Sequence, residues 1–337
     1  MTTDRMPTLL RHLGFAAVAG LALFALTYTL EPFRNFQLAT IGAYLCATAG
    51  LTVLTGLNGQ LSLGHGALMA VGAYTVALCQ NAFADANILG GEVLYVSLGL
   101  GVLTTIVVGL IVGLAAARLR GPYLAGVTLA VSVVISAVTT IWSDVFNSDQ
   151  GLSVYLEPPP DYLTMEQWQA WLALGAALLV MFLLANVIRS RFGRQFRAVR
   201  DDEVAARLAG INIARTQVLA FTVSAAGAGL GGGILAVITQ AVSPSAYSLV
   251  LSLNLLLAVV VGGLGSLAGA VWGSALLVLL PDLAHTASEQ LSLSPAAALR
   301  LEGNLPLAIF GLTLIVVMIA APGGIQGLVR RLIGGRR

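Results

Sequence analysis

The sequence contains no lysine, because all 17 of its basic residues are arginine. This absence excludes chemistry that depends on a Schiff-base lysine. It also excludes the G-x-x-x-x-G-K-[ST] phosphate loop of nucleotide-hydrolysing proteins. We therefore predict that the chain is not an enzyme, and that any ATP it depends on is hydrolysed elsewhere.

Charge of either sign is scarce. Only 9% of the residues are charged, against roughly 25% in ordinary soluble domains. Hydrophobic residues make up 58% of the chain and the mean hydropathy is +0.90. Several apolar runs reach the length of about 20 residues that a bilayer-spanning helix needs. The fold class is therefore predicted to be all-α, a polytopic integral membrane helical bundle.

Cysteine and histidine are also rare, with two and three copies. Cys46 and Cys79 fall in apolar runs, where free cysteine behaves as a small hydrophobic residue. The scattered histidines complete no credible metal site. Proton-coupled pumps usually carry Asp, Glu or Arg inside their spans, and none is visible here. The sequence thus supports neither a metal centre nor proton coupling.

The apolar runs also predict where the chain crosses the membrane. The stretch 250–280 is too long for one span and too short for two complete ones. Its glycine-rich middle, 262–269, favours two shortened helices joined at a break. This gives ten crossings, or eight if 250–280 is re-entrant. The other predicted spans are 13–30, 36–55, 66–82, 93–117, 122–142, 168–188, 217–240 and 304–321.

The distribution of arginine predicts the orientation, since short cytoplasmic loops collect Arg. If both termini are cytoplasmic, Arg34 and Arg300 are the only arginines on the external side of the membrane. Most of the acidic residues, by contrast, lie on that external side. The loop 189–216 is then cytoplasmic, and 143–167 and 281–303 are external. The external segments are either plain connections or a landing surface for a partner. We expect the first apolar run to be retained as a span, because no small-residue cleavage site follows it.

One polar segment, GLNGQLSLGHG at 56–66, interrupts the apolar runs with four glycines. It is either a broken helix at membrane depth beside a cavity or a tight cytoplasmic turn. His65 is an ionisable group next to a span, and it is either functional or a structural hydrogen-bond donor. The candidate pathway or hinge residues of this segment are Asn58, Gln60, Ser62 and His65.

Two further runs, 224–233 and 262–273, place small residues at helical spacing. Such surfaces allow close packing of helices, which we favour, although they also leave room for a solute or for sliding. In the second run the candidate hinge or pathway residues are Gly262, Gly263, Gly265 and Ser266.

The segment DDEVAARLAG, 201–210, begins with acidic residues, continues with good helix formers and ends in glycine. This order predicts a capped short helix. A short helix within the charged loop 189–215 needs an outside surface to pack on, because a loop this short has no core of its own. The loop 189–215 is therefore a candidate docking element. The five arginines of 189–200 are explained by the preference of arginine for the cytoplasmic side of a membrane.

Three segments together carry a family resemblance: GLNGQLSLGHGALMAVGAY (56–74), RFGRQFRAVRDDEVAARLAGI (191–211) and VVGGLGSLAGAVWG (260–273). From about residue 40 to its end, the chain resembles permease subunits of bacterial ABC importers, specifically the branched-chain amino acid permease family of the LivM type. The resemblance implies a single permease domain over 1–337, in the bacterial inner membrane, with the coupling loop 189–216 inside it.

The importer pattern E-A-A-x-x-x-G, which contacts the ATPase, aligns with 204–210, and Val204 stands where the pattern has Glu. The residues predicted to act in ATPase coupling are Asp201, Asp202, Glu203, Ala205, Ala206 and Gly210. Of these, the resemblance places Ala205, Ala206 and Gly210 on the coupling helix. It also implies two ATPase subunits, an external solute-binding protein, and a second LivH-like permease or a second copy. ATP and Mg²⁺ would be held by the ATPase subunits, this chain would bind no cofactor, and no nucleic acid would take part.

The implied activity is ATP-driven alternating access that carries leucine, isoleucine and valine inward. One alternative keeps this class of permease but carries urea, short amides or other amino acids. A second alternative is a stand-alone ion-coupled carrier or channel.

Overall fold

The computed structural model describes residues 8–88, 90–119, 122–156, 158–159, 162–290, 311–312, 315–316, 319 and 323–333. The helices are α1 (Thr8–Thr27), α2 (Pro32–Leu51), α3 (His65–Asp85), α4 (Gly91–Ala116), α5 (Pro122–Ile141), α6 (Ser143–Phe146), α7 (Met165–Arg189), α8 (Arg191–Asp201), α9 (Glu203–Leu208), α10 (Ile213–Thr239), α11 (Leu249–Gly263), α12 (Leu267–Gln290) and α13 (Gly324–Ile333). A π-helical turn, Thr52–Leu57, extends α2, and 3-10 turns cover Ser148–Gln150 and Pro244–Tyr247. Strands β1 (Leu152–Ser153) and β2 (Ala241–Val242) pair antiparallel.

Seven of the described helical segments are long and apolar enough to cross a membrane. They contain α2 with its π-helical turn, α3, α4, α5, α7, α10, and α11 with the 3-10 turn before it. Shorter apolar segments, Ala17–Thr27 and Leu267–Leu283, lie in α1 and α12. The predicted span 304–321 falls largely outside the described residues, so the number of ten crossings stays a prediction. The chain is a polytopic helical membrane protein.

The long helix α10 occupies the centre of the bundle. It packs against α2, α3 and α4, and 78% of its membrane-length window is buried. Glycine permits this packing, because a Cβ on Gly232 would overlap the carbonyl of Met69 and one on Gly72 would overlap Gly229. Without those Cβ atoms the helix backbones meet directly. The small-residue run 224–233 therefore allows α10 to pack closely against its neighbouring helices, as predicted.

Charge separates along the bundle. The acidic residues Glu31, Asp85, Glu92, Asp144, Asp149 and Glu166 lie at one end, here called the acidic end, where Arg34 pairs with Asp282 at 3.0 Å. The opposite end, here called the arginine-rich end, contains α8, α9, α13 and the link between α4 and α5. Its described arginines are Arg118, Arg189, Arg191, Arg194, Arg197, Arg200, Arg207, Arg215, Arg330 and Arg331.

Two predicted connections differ from the structure. The segment 143–167 is not a plain loop, since it contains α6, a 3-10 turn and β1, and Leu152 of β1 pairs with Val242 of β2. The segment predicted to leave the bundle at 281 is still helical there, because α12 continues through Pro281 to Gln290. Proline removes one helical hydrogen bond but leaves the rest of the helix intact here. Residues 291–303 lie outside the described residues.

Candidate functional site

The arginine-rich segment after α7, whose arginines were explained from the sequence by membrane orientation, is an amphipathic helix. Ser190 caps α8, its hydroxyl accepting a hydrogen bond from the Phe192 amide at 3.1 Å. Phe196 and Val199 are buried against the protein, with 0% and 3% of their surface exposed. This apolar face was not predicted from the sequence, because the surrounding arginines were explained by membrane orientation. The surface on which α8 packs therefore belongs to the chain itself.

The predicted short helix is present as α9. The Asp202 carboxylate caps it, accepting hydrogen bonds from the amides of Val204 at 2.8 Å and Ala205 at 3.1 Å. At the other end Gly210 has φ +81°. The Ile211 amide donates to the Ala206 carbonyl at 3.0 Å, which closes the helix as a Schellman motif. Both ends of this six-residue helix are thus fixed by local hydrogen bonds.

The two faces of α9 differ sharply. Ala206 is buried against the protein with 4% exposed, whereas Val204 and Leu208 are 70% and 86% exposed. Val204 and Leu208 are four residues apart and so share one helix face. Ala205 is also exposed. The outer surface of α9 is therefore an apolar ridge on a short, capped helix.

The first helix break follows the π-helical turn and extends from Asn58 to Gly64. The Asn58 side-chain amide donates to Gln60 Oε1 at 2.8 Å, and Thr55 Oγ1 donates to the Gln60 carbonyl at 3.0 Å. Asn58 and Gln60 are 3% and 4% exposed. Asn58 Oδ1 and Gln60 Nε2 have no hydrogen-bond partner among the described residues. Asn58 and Gln60 are thus buried, whereas Gly59 and Leu61 of the same break are exposed. Whether the break is a broken helix at membrane depth or a cytoplasmic turn stays a prediction.

The second half of this break is held by two other helices. From α5, Thr128 Oγ1 accepts from the Leu63 amide at 2.9 Å, and Ser132 Oγ donates to the Leu63 carbonyl at 3.1 Å. From α11, Ser252 Oγ accepts from the Gly66 amide at 2.9 Å. Ser62 lies in the same half and is buried. These contacts fix where α3 begins.

His65 starts α3 and is completely buried. Its ring nitrogens form no hydrogen bond with another described residue, although the backbone of Ala47 is a polar neighbour. The two predicted roles of His65, a functional group or a structural hydrogen-bond donor, stay predictions.

The second helix break separates α11 from α12, as predicted. Gly263 and Gly265 have φ of +126° and +78°, which lets the chain reverse. A Cβ on Gly262 would overlap the Gly269 carbonyl, so the two helices cross in backbone contact. Ser266 donates its amide to the Gly263 carbonyl at 3.3 Å within the turn.

A cavity of about 210 Å³ brings together the first break and the segment between α8 and α9. Two of the four candidates in 56–66, Asn58 and Gln60, line it, whereas Ser62 and His65 do not. The second break is also outside its lining, although it touches the π-helical turn before the first break at Gly56. The other polar residues of the lining are Arg200, Asp201, Asp202, Glu203 and Gln217.

Sequence reasoning missed several members of this site. Arg200 donates to the Gly56 carbonyl at 2.9 Å, and Gln217 lies 3.5 Å from Glu203 Oε1. Arg200 belongs to the arginines of 189–200, which were explained from the sequence by membrane orientation alone. The sequence feature that could have identified Arg200 is its position directly before Asp201. Thr128 and Ser252 are single polar residues in apolar runs, and no local pattern distinguishes them.

A larger cavity of about 430 Å³ lies at the acidic end, between the last turn of α3 and β1. It is lined by Asn81, Asp85 and the segment 153–156, and it contains no predicted site residue. Asn81 donates to the Ser153 carbonyl at 2.8 Å and so anchors β1 to α3.

Comparison with known proteins extends these observations. The sequence model of the family described as "Branched-chain amino acid transport system / permease component" matches residues 33–321. The high-affinity branched-chain amino acid transport system permease protein LivM of Salmonella typhimurium is 31% identical over 271 residues, which cover 73% of this chain and 62% of that protein. The probable branched-chain amino acid transport permease protein LivM of Methanocaldococcus jannaschii is 24% identical over 284 residues, 81% and 79% of the two chains.

A shorter similarity connects the chain to the xylose transport system permease protein XylH of Escherichia coli, 36% identical over 114 residues, 31% of this chain and 29% of that protein. No solved structure matches the chain significantly. The chain spans 62% of the length of the Salmonella and Escherichia coli LivM proteins. Since the family match covers most of the sequence, the chain belongs to the permease-component family of branched-chain amino acid transport systems.

Proposed function

We propose that the protein is the permease subunit of a binding-protein-dependent ABC importer, which moves leucine, isoleucine and valine into the cytoplasm. Membership of the permease family supports the transport class, and the names of the LivM relatives support the cargo. The observation that supports coupling of transport to ATP hydrolysis is the structure of α9. A short helix capped at both ends, which exposes Val204 and Leu208, is suited to docking in an apolar groove of an ATPase subunit.

The proposed orientation places the arginine-rich end in the cytoplasm. Positively charged residues favour the cytoplasmic side of a membrane, and ten described arginines lie at that end. Residues 1–337 then form one permease domain in the bacterial inner membrane, with the coupling loop 189–216 facing the cytoplasm. An external solute-binding protein would dock on the acidic end.

In this proposal ATP is hydrolysed by partner subunits, which agrees with a sequence that has no phosphate loop. Two ATPase subunits would hold ATP and Mg²⁺, and a second LivH-like permease or a second copy of this chain would complete the pathway. In the proposed mechanism, closure of the ATPase pair moves α9. That movement rocks the helices at the two breaks and exposes the pathway to alternate sides. The pathway would bind a zwitterion through backbone amides, because broken helices expose such groups.

Two alternatives differ in their predictions. The same class of permease could carry urea, short amides or other amino acids, and the partial similarity to a xylose permease agrees with a class that serves varied cargo. Competition against leucine uptake by a panel of these solutes distinguishes them. A stand-alone ion-coupled carrier would instead transport without ATPase subunits and would respond to an ion gradient.

The apolar ridge on α9 provides the test. Val204→Asp places a charge on the docking face, and Val145→Asp places the same charge on an exposed valine of α6 at the acidic end. We expect Val204→Asp to weaken co-purification of the ATPase subunits by about tenfold or more, as loss of a central interface residue does. Val145→Asp should leave it unchanged. An intact complex with Val204→Asp, at equal membrane levels, would overturn the docking assignment.

A further inference from the structure

Arg200 connects two parts of the molecule that are distant in sequence. It is the penultimate residue of α8, and its Nη1 donates to the carbonyl of Gly56 at 2.9 Å. That carbonyl lies in the last turn of the π-helical segment, where helical amide donors run out. The negative end of a helix also favours a cation. Arg200 thus supplies both a donor and a positive charge to the end of the broken helix.

The same guanidinium is held on its other side by Asp201. Arg200 Nε and Nη2 lie 2.9 Å and 2.7 Å from Asp201 Oδ1. The arginine stem also crosses Gly59, where an added Cβ would lie 2.9 Å from Arg200 Cγ. The side chain is therefore fixed by a carbonyl, a carboxylate and a glycine surface.

Asp201 and Asp202 join this contact to α9. Asp202 caps α9 through the Val204 and Ala205 amides, and Asp201 holds the Arg200 side chain. No freely rotating loop intervenes between the end of α8 and α9, since Asp202 is the single residue between them. The path of covalent bonds and hydrogen bonds from α9 to Gly56 therefore contains only three residues, Asp202, Asp201 and Arg200.

The ion pair between Arg200 and Asp201 is poorly explained as a stabiliser of the fold. Arg200 and Asp201 side chains are 39% and 62% exposed, and exposed ion pairs contribute little to stability. The neighbouring arginines of α8 make different contacts. Arg191 lies over the Phe192 ring at 4.9 Å, and Arg197 reaches the Ile188 carbonyl at 3.5 Å, both close to the α7–α8 junction. The Arg194 side chain is exposed and forms no hydrogen bond or ion pair with another described residue.

We infer that Arg200 is the positioning residue that transmits movement of α9 to the first helix break, and through Gly56 to the second. This inference rests on the proposed function. In each transport cycle, docking and closure of the ATPase subunits would shift α9, and the guanidinium would carry that shift to the Gly56 carbonyl. Since Gly56 lies against Gly265, both breaks would respond together.

The test uses the complete complex, with ATPase subunits, second permease and binding protein, in lipid nanodiscs. Amide hydrogen exchange is measured over 56–66 and 203–210, without nucleotide and with ATP plus orthovanadate. In the unchanged protein and in the control Arg194→Gln, both segments should respond to nucleotide. In Arg200→Gln, 203–210 should respond and 56–66 should not. Radiolabelled leucine moved per ATP hydrolysed should fall by about fivefold or more in Arg200→Gln.

Three results would overturn the inference. The first is a nucleotide response at 56–66 that persists in Arg200→Gln. The second is faster exchange of 56–66 in Arg200→Gln before nucleotide is added, which would make Arg200 a structural residue. The third is a response at 203–210 alone in the unchanged protein. If Arg200→Gln does not assemble, Asp201→Ala removes the second anchor of the guanidinium and is judged by the same criteria. A complex without ATPase subunits, or without any response at 203–210, would instead contradict the proposed function.

Discussion

Gly56 lies against Gly265 with no space for a side chain between them, because a Cβ on Gly56 would overlap the Gly265 backbone nitrogen. Gly56 belongs to the π-helical turn before the first break, and Gly265 belongs to the positive-φ turn between α11 and α12. Two helix breaks that are far apart in sequence therefore form a single joint. The cavity beside Arg200 lies between the first break and the segment that leads into α9, and neither Gly56 nor Gly265 lines it.

Gly56→Ala should disturb this joint. The added methyl group forces the two breaks apart, and such overpacking destabilises a protein by about 1–3 kcal/mol. We expect a lower thermal unfolding temperature in detergent and reduced uptake. Gly126→Ala in α5 is the matched control, since a Cβ there meets no described atom within 4 Å. It should be neutral or stabilising by up to about 1 kcal/mol. Equal stability and uptake in the two variants would refute the joint.

Asp202→Ala should loosen α9. The variant loses the two hydrogen bonds that cap the helix, and loss of such a cap typically destabilises by about 1 kcal/mol. Faster amide exchange over 203–210 and a lower transport yield per ATP should follow. Asp202→Ser retains a capping oxygen without the charge and should behave like the unchanged protein. If serine fails as alanine does, the carboxylate has a role other than capping.

Gly210→Ala should strain the end of α9. Gly210 has φ +81° and an added Cβ would meet no described atom within 4 Å, so the effect is conformational and not steric. A side chain in the left-handed region is unfavourable by about 1–2 kcal/mol. Asparagine tolerates this region better than alanine, so Gly210→Asn should retain more coupling of ATP hydrolysis to uptake than Gly210→Ala. The reverse order would argue against the Schellman closure as the relevant feature.

Much of the architecture follows from local sequence. Apolar runs located the long helices other than α12 to within about five residues, and the order of acids, helix formers and glycine in 201–210 predicted α9. Both breaks were visible because glycine interrupts the apolar runs at 56–66 and 262–269. These signals are local, since each depends on residues that are adjacent in the chain.

The parts that escaped prediction are contacts between distant segments or exceptions to a local rule. The amphipathic face of α8, with Phe196 and Val199, was hidden because arginine at a membrane boundary already has an explanation. The hydrogen bond from Arg200 to Gly56 depends on how α8 packs, which no spacing encodes. Helix α12 passes Pro281, a residue that usually marks a boundary, because the loss of one hydrogen bond does not end a long apolar helix.

The most direct test of the account is leucine uptake into proteoliposomes that contain the complete complex with its binding protein. We predict uptake that requires ATP on the side of the arginine-rich end, stops when ATP is replaced by a non-hydrolysable analogue, and is unaffected when proton and sodium gradients are collapsed. Uptake by this chain without ATPase subunits, driven by an ion gradient, would contradict the account.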